Sequence, residues 1–148
     1  MRGKLCCLRF QIENSILKIM AKIERFEDIE AWKDARKLDS YIFSIFQEEP
    51  ASKDFPLKNQ IFSSAGSVMD NIAEGFERSG NKEFHQFLAI SKGSCGEVRS
   101  QLYRCLDRGY IDEEQFEILK DRCLDLSKQI SGFMSYLRSS DLKGSKFN

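Results

Sequence analysis

Apolar residues recur every three or four positions through four long stretches of the chain, with polar and charged residues filling the intervals. That period turns one face of a helix toward a core. The last stretch is the most regular. Phe116, Leu119, Cys123, Leu126, Ile130, Phe133 and Leu137 alternate spacings of three and four without a break. This is a sustained heptad seam, and it predicts a helix over residues 113–138. Ala31, Ala35, Leu38, Ile42 and Ile45 predict a first helix over residues 27–48, with Trp32, Tyr41 and Phe46 widening its apolar face. Leu57, Ile61, Ser64, Ala65, Val68, Ile72 and Phe76 predict a second over residues 57–77. Phe84, Phe87, Leu88, Ser91, Cys95, Val98, Leu102, Cys105 and Leu106 predict a third over residues 82–107.

The breaks carry their own signals. Both prolines, Pro50 and Pro56, fall between the first two helices, where Asp54 caps the next helix and Pro56 occupies its first turn. Gly80 suits a left-handed helix end and Asn81 an N-cap. Gly109 ends the third helix, and Asp112 with Gln115 forms a capping box for the fourth. No segment alternates as a strand does. Short connections make neighbouring helices antiparallel, so the expected fold is all-α, an antiparallel up-down-up-down four-helix bundle. The second and third helices each carry a run of small residues, Ser63 to Ser67 and Gly93 to Gly96. A helical glycine costs about 1 kcal/mol against alanine. Gly66 is therefore expected where a neighbouring backbone comes close, with the two small runs facing each other.

At 148 residues the chain is one domain in length, 41% hydrophobic and 31% charged. It is neither disordered nor membrane-spanning by composition. The bundle is assigned to residues 23–138 and a loose polar tail to 139–148. Residues 1–22 differ from the rest, with Arg2, Lys4, Arg9 and Lys18 against Glu13 among the first twenty. Their apolar run, Leu5 to Leu8, is too short for a signal-peptide core. They read as an N-terminal extension, residues 1–19 of it upstream of a native start at Met20, and the alternative is a functional basic arm. The five cysteines, Cys6, Cys7, Cys95, Cys105 and Cys123, show no C-x-x-C pair, which points to a reducing cytoplasm.

Chemistry is sparse. The only histidine is His85, and Glu83 lies two residues before it, on a different helix face. A di-iron bundle needs Glu-x-x-His on two helices, so no metal, cofactor or catalytic residue is assigned and the chain is read as a non-enzyme. Lys and Arg (23) balance Asp and Glu (23), so any pull on nucleic acid is local. One such patch is the third helix. His85, Lys92 and Arg99 recur every seven residues, and Arg104 and Arg108 extend positive charge to its end. They are candidate nucleic-acid contacts, set against a simple solvated face. Asn71 and Glu74 share a side of the second helix, and Glu97 sits beside the small run of the third. These three are read as an interhelix polar network, with a ligand or partner contact as the alternative. Phe26, Trp32, Tyr41, Phe43 and Phe46 load the first helix with more aromatics than one core face needs. Exposed members would mark a subunit interface.

Several runs together resemble the four-helix-bundle family named for the 23S rRNA intervening-sequence protein. They are Phe26 to Lys33, Ala65 to Phe76 with its Asn-Ile-Ala-Glu-Gly core, Lys82 to Leu88, and Gly93 to Val98. The resemblance covers residues 26–138. It implies a bundle that assembles into a ring, a homopentamer, and it carries over no catalytic activity. Some members are encoded inside intervening sequences of bacterial rRNA genes. Related proteins are accessory subunits of reverse transcriptases in diversity-generating retroelements, so structured RNA, a ribonucleoprotein or a reverse transcriptase are the partners implied. Two departures stand out. Met69 sits where many relatives place a proline, and the neutral charge is unlike the strongly basic accessory type.

Overall fold

The computed structural model describes residues 23–142, with side chains through Ser140. The reading of residues 1–22 as an extension lies outside them. The described residues form four long helices: α1 Glu30–Ile45, α2 Phe55–Glu77, α3 Asn81–Asp107 and α4 Glu113–Leu142. Two short 3-10 turns, Phe26–Asp28 and Ala51–Lys53, precede α1 and α2, and there is no strand among the described residues. Each helix packs on its sequence neighbours, and α4 closes the bundle against α1.

The seam of α4 is buried from Phe116 to Leu137, with Ile130 and Leu137 fully enclosed. It meets Leu38 and Ile42 of α1, Ile61, Val68 and Ile72 of α2, and Leu88, Val98 and Leu102 of α3 in one core. Asp54 caps α2 by accepting the Leu57 N–H at 3.3 Å, with Pro56 in the first turn. The capping box of α4 is reciprocal: Gln115 N–H donates to Asp112 Oδ1 at 2.8 Å, and Asp112 N–H to Gln115 Oε1 at 3.0 Å. Gly109 takes φ +70, and Tyr110 N–H reaches back to the Cys105 carbonyl at 2.9 Å. This is the glycine-dependent helix end its sequence predicts.

Four local expectations change. First, α1 starts at Glu30, because Ile29 is extended and buried while the Asp28 carboxylate accepts the N–H groups of Glu24 and Arg25 and holds a separate turn. Second, Ser79, not Gly80, takes the left-handed position (φ 58); Gly80 is the extended N-cap of α3 and Asn81 its first residue. The residue after the α2 C-cap must turn left-handed, and the glycine stands one position late. Third, α4 continues into the segment read as tail. Ser140 is buried, accepts from Asn81 Nδ2 at 3.4 Å and donates to the Leu137 carbonyl at 2.9 Å, which seats the last turn on the start of α3.

The fourth change concerns the glycines. A Cβ at Gly66 would meet nothing nearer than Asp70 Oδ2 at 4.0 Å, and Gly93 and Gly96 have open space beside them. The α2–α3 approach is made by serines instead, and the glycine it requires is Gly75. A Cβ there would lie 2.7 Å from both Phe84 Cδ2 and Phe87 Cβ.

The three cysteines of the bundle are free and buried, at 0–1% exposure. Burial pushes the Cys105 thiol up to about 11. Contact with the Cys95 thiol and burial together push Cys123 up as well. An alkylating reagent is therefore expected to modify Cys105 and Cys123 only as the bundle opens. Peptide mapping after labelling in native buffer and in denaturant checks this. Labelling in native buffer at the rate of a free thiol would show that the core around them is not closed.

Candidate nucleic-acid interface and the α2–α3 seam

The serines of α2 and α3 meet as a polar ladder beside the core. Ser91 Oγ donates to the Val68 carbonyl at 2.6 Å. Ser67 and Ser94 share a hydrogen bond at 2.8 Å, and Asn71 Nδ2 donates to Ser67 Oγ at 2.9 Å and to the Ser67 carbonyl at 2.8 Å. One turn along, Gln101 Nε2 donates to Ser64 Oγ at 3.0 Å, and Ser64 Oγ donates to Glu97 Oε2 at 3.1 Å. Each such bond adds about 1 kcal/mol net, and leaving a buried partner unpaired costs more. The ladder thus fixes the register of α3 on α2.

The three residues read as a network divide. Asn71 and Glu97 join the ladder, but through Ser67 and Ser64, not through each other. Glu74 stands apart. It accepts from Arg78 at 2.8 Å on the exposed surface, and Arg78 also reaches Glu83. Its place one turn before the helix end puts it in reach of the C-cap arginine and out of reach of Glu97. Gln101 and the four serines were absent from the sequence-derived network. Gln101 falls seven residues after Ser94, and that spacing is the signal that could have found it.

The five basic candidates are not one surface. Arg104 Nη2 donates to Gln60 Oε1 of α2 at 2.9 Å. Arg108 forms an ion pair with Asp54, which also accepts from Tyr110 OH at 2.9 Å. Burial alone would raise the Asp54 carboxyl, but the hydrogen bonds from Tyr110, Arg108 and Leu57 N–H outweigh it and hold it below the usual range. These two arginines therefore tie α3 to α2. His85 has its Nε2 buried without a hydrogen-bond partner, which withdraws it from a solvent-borne phosphate. Lys92 is exposed and Arg99 half-exposed, on the opposite flank of α3. Neither pairs with an acid among the described residues. Elsewhere several lysines pair with an acid three or four residues away, as in Lys33–Glu30, Lys37–Asp34, Lys53–Glu49, Lys120–Glu117 and Lys128–Asp125.

The family model for the 23S rRNA-intervening sequence protein matches residues 27–132, from the turn before α1 through the first two thirds of α4. The chain belongs to that family. This member of the 23S rRNA-intervening sequence family also shares its fold with a crystallised protein of unknown function from the S23 ribosomal protein family of Bacteroides thetaiotaomicron. The two are 20% identical, with a TM-score of 0.65 over 71% of this chain and 95% of the other. No curated protein matches the chain. Among the described residues no three His, Cys, Asp or Glu side chains come together as a metal site, and no helix is long and apolar enough to cross a membrane.

Proposed function

We propose that this intervening-sequence family member is a non-enzymatic bundle that binds structured RNA, or a ribonucleoprotein, through the flank of α3 carrying Lys92 and Arg99, and that it does so as a homopentameric ring. One observation carries the RNA reading: these two cations stand one heptad apart on one flank without an acid partner, while half of the other described bases sit in local ion pairs. Two cations per chain make a weak site, and a ring repeats it around an axis, so several contacts engage one RNA at high effective concentration.

The test uses a large-subunit rRNA hairpin and an unrelated duplex at low and physiological salt. Binding is expected to weaken with salt, by a slope of about 0.9 per phosphate neutralised. The Lys92→Glu/Arg99→Glu variant is expected to lose it, while Lys37→Glu, on the far side of the bundle, keeps it. Binding that survives the double substitution, or none at low salt, would remove this reading.

A further inference from the structure

One face of the bundle is left unfinished. Along the outer groove between α1 and α2, Phe43 is 54% exposed and its ring lies 5.8 Å from that of Phe62. Phe55, 62% exposed, stands two turns before Phe62 on the same side of α2. Beyond these rings, toward Trp32, Asp39 faces Asp70. Burial and the Asp70 charge hold the Asp39 carboxyl above its usual range, and no cation offsets them. Gly66 lies one turn before Asp70 with open space over it, so it serves no packing purpose inside this chain. The other charges on this face are already engaged. Arg36 rides on the Trp32 ring at 5.9 Å at one end, and Lys58 on the Phe62 ring at 5.9 Å toward the other.

We propose that the α1–α2 groove is a docking site for an amphipathic helix of a partner protein, one that sets a single lysine or arginine within its apolar stripe opposite Asp39 and Asp70. The apolar residues of that helix cover Phe43 and Phe55. Bare backbone at Gly66 lets the two helices approach closely. Charge complementarity selects this occupant. A wholly apolar helix would bury Asp39 without a counter-charge, and an acidic one would add like charge to it. A polybasic one would meet Arg36 and Lys58 at the two ends. The face lies away from Lys92 and Arg99, so the inference stands whether or not RNA binds there.

The experiment uses the full chain and two fluorescein-labelled helical peptides with the same leucine stripe. They differ at one central stripe position, Lys in one and Glu in the other, and binding is read by anisotropy. The Lys peptide is expected to bind about tenfold or more tightly than the Glu peptide. Asp39→Asn/Asp70→Asn should abolish that preference. Gly66→Leu should melt no lower than the parent chain yet lose the Lys peptide. Absence of binding, equal binding of both peptides, or undiminished binding to a folded Gly66→Leu variant would each overturn the proposal. So would sedimentation showing that Phe43→Ser splits a pre-existing oligomer, since the groove would then be covered by a second copy of this chain.

Discussion

Ile130→Asp is expected to abolish folding. Ile130 is 0% exposed at the centre of α4, within the one core that all four helices share. Truncating such a residue to alanine already costs about 2–5 kcal/mol. An aspartate adds an unpaired carboxylate inside this apolar cluster, which either stays charged at several kcal/mol or takes up a proton at a similar cost. Together these approach or exceed the whole stability of an ordinary domain, about 5–15 kcal/mol. Leu126→Asp, one turn earlier and equally buried, should behave alike. Ile130→Val should cost only about 0.5–1.5 kcal/mol and keep a cooperative transition. Thermal melting followed by far-ultraviolet circular dichroism reads all three. A cooperative melt retained by both aspartate variants would place the α4 seam outside the core.

Two glycines in one helix are expected to answer alanine in opposite directions. At Gly66 the new methyl meets only open space, so Gly66→Ala gains the helix preference of about 1 kcal/mol and raises the melting temperature. At Gly75 the same methyl lies 2.7 Å from Phe87 Cβ, an atom fixed to the α3 backbone, and 2.7 Å from Phe84 Cδ2. The Phe84 ring cannot swing aside, because it is held edge-on between Phe76 at 6.1 Å and Phe133 at 4.9 Å. The helices themselves must separate, which costs about 3 kcal/mol by overpacking. After the gain of about 1 kcal/mol in helix preference, Gly75→Ala loses about 2 kcal/mol and melts several degrees lower. Equal shifts of the same sign in the two variants would mean that α2 and α3 do not approach at Gly75.

The same pair shows where the sequence is readable and where it is not. A helical glycine signals that something needs the space, and both glycines were visible. Which one faces α3 depends on how α2 is rotated against it, and neighbouring helix positions differ by about 100°. The choice of Gly66 as the point of close approach failed for that reason. Glu74 and His85 carry a related lesson. Spacing placed Glu74 beside Asn71, but the nearest partner across the helix end was Arg78. Heptad spacing grouped His85 with Lys92 and Arg99, yet it gave no sign that the ring nitrogen would lie under neighbouring atoms.

By itself the sequence determined the helices, their order, the α4 seam and the caps at Asp54, Gly109 and Asp112, because each depends on period or on bonds made within a few residues. It also carried the runs through which the chain joins its family. Tertiary structure decided which charges remain free and which faces remain bare. Arg108 meets Asp54 across 54 positions of chain and Gln129 meets Asp34 across 95, and no local pattern encodes such pairings. The exposure of Phe43 and Phe55, the seclusion of Asp39 beside Asp70, and the isolation of Lys92 and Arg99 all follow from how four amphipathic cylinders rotate to close one core. That rotation is set by the sum of contacts made at once, so it appears only when the helices are assembled.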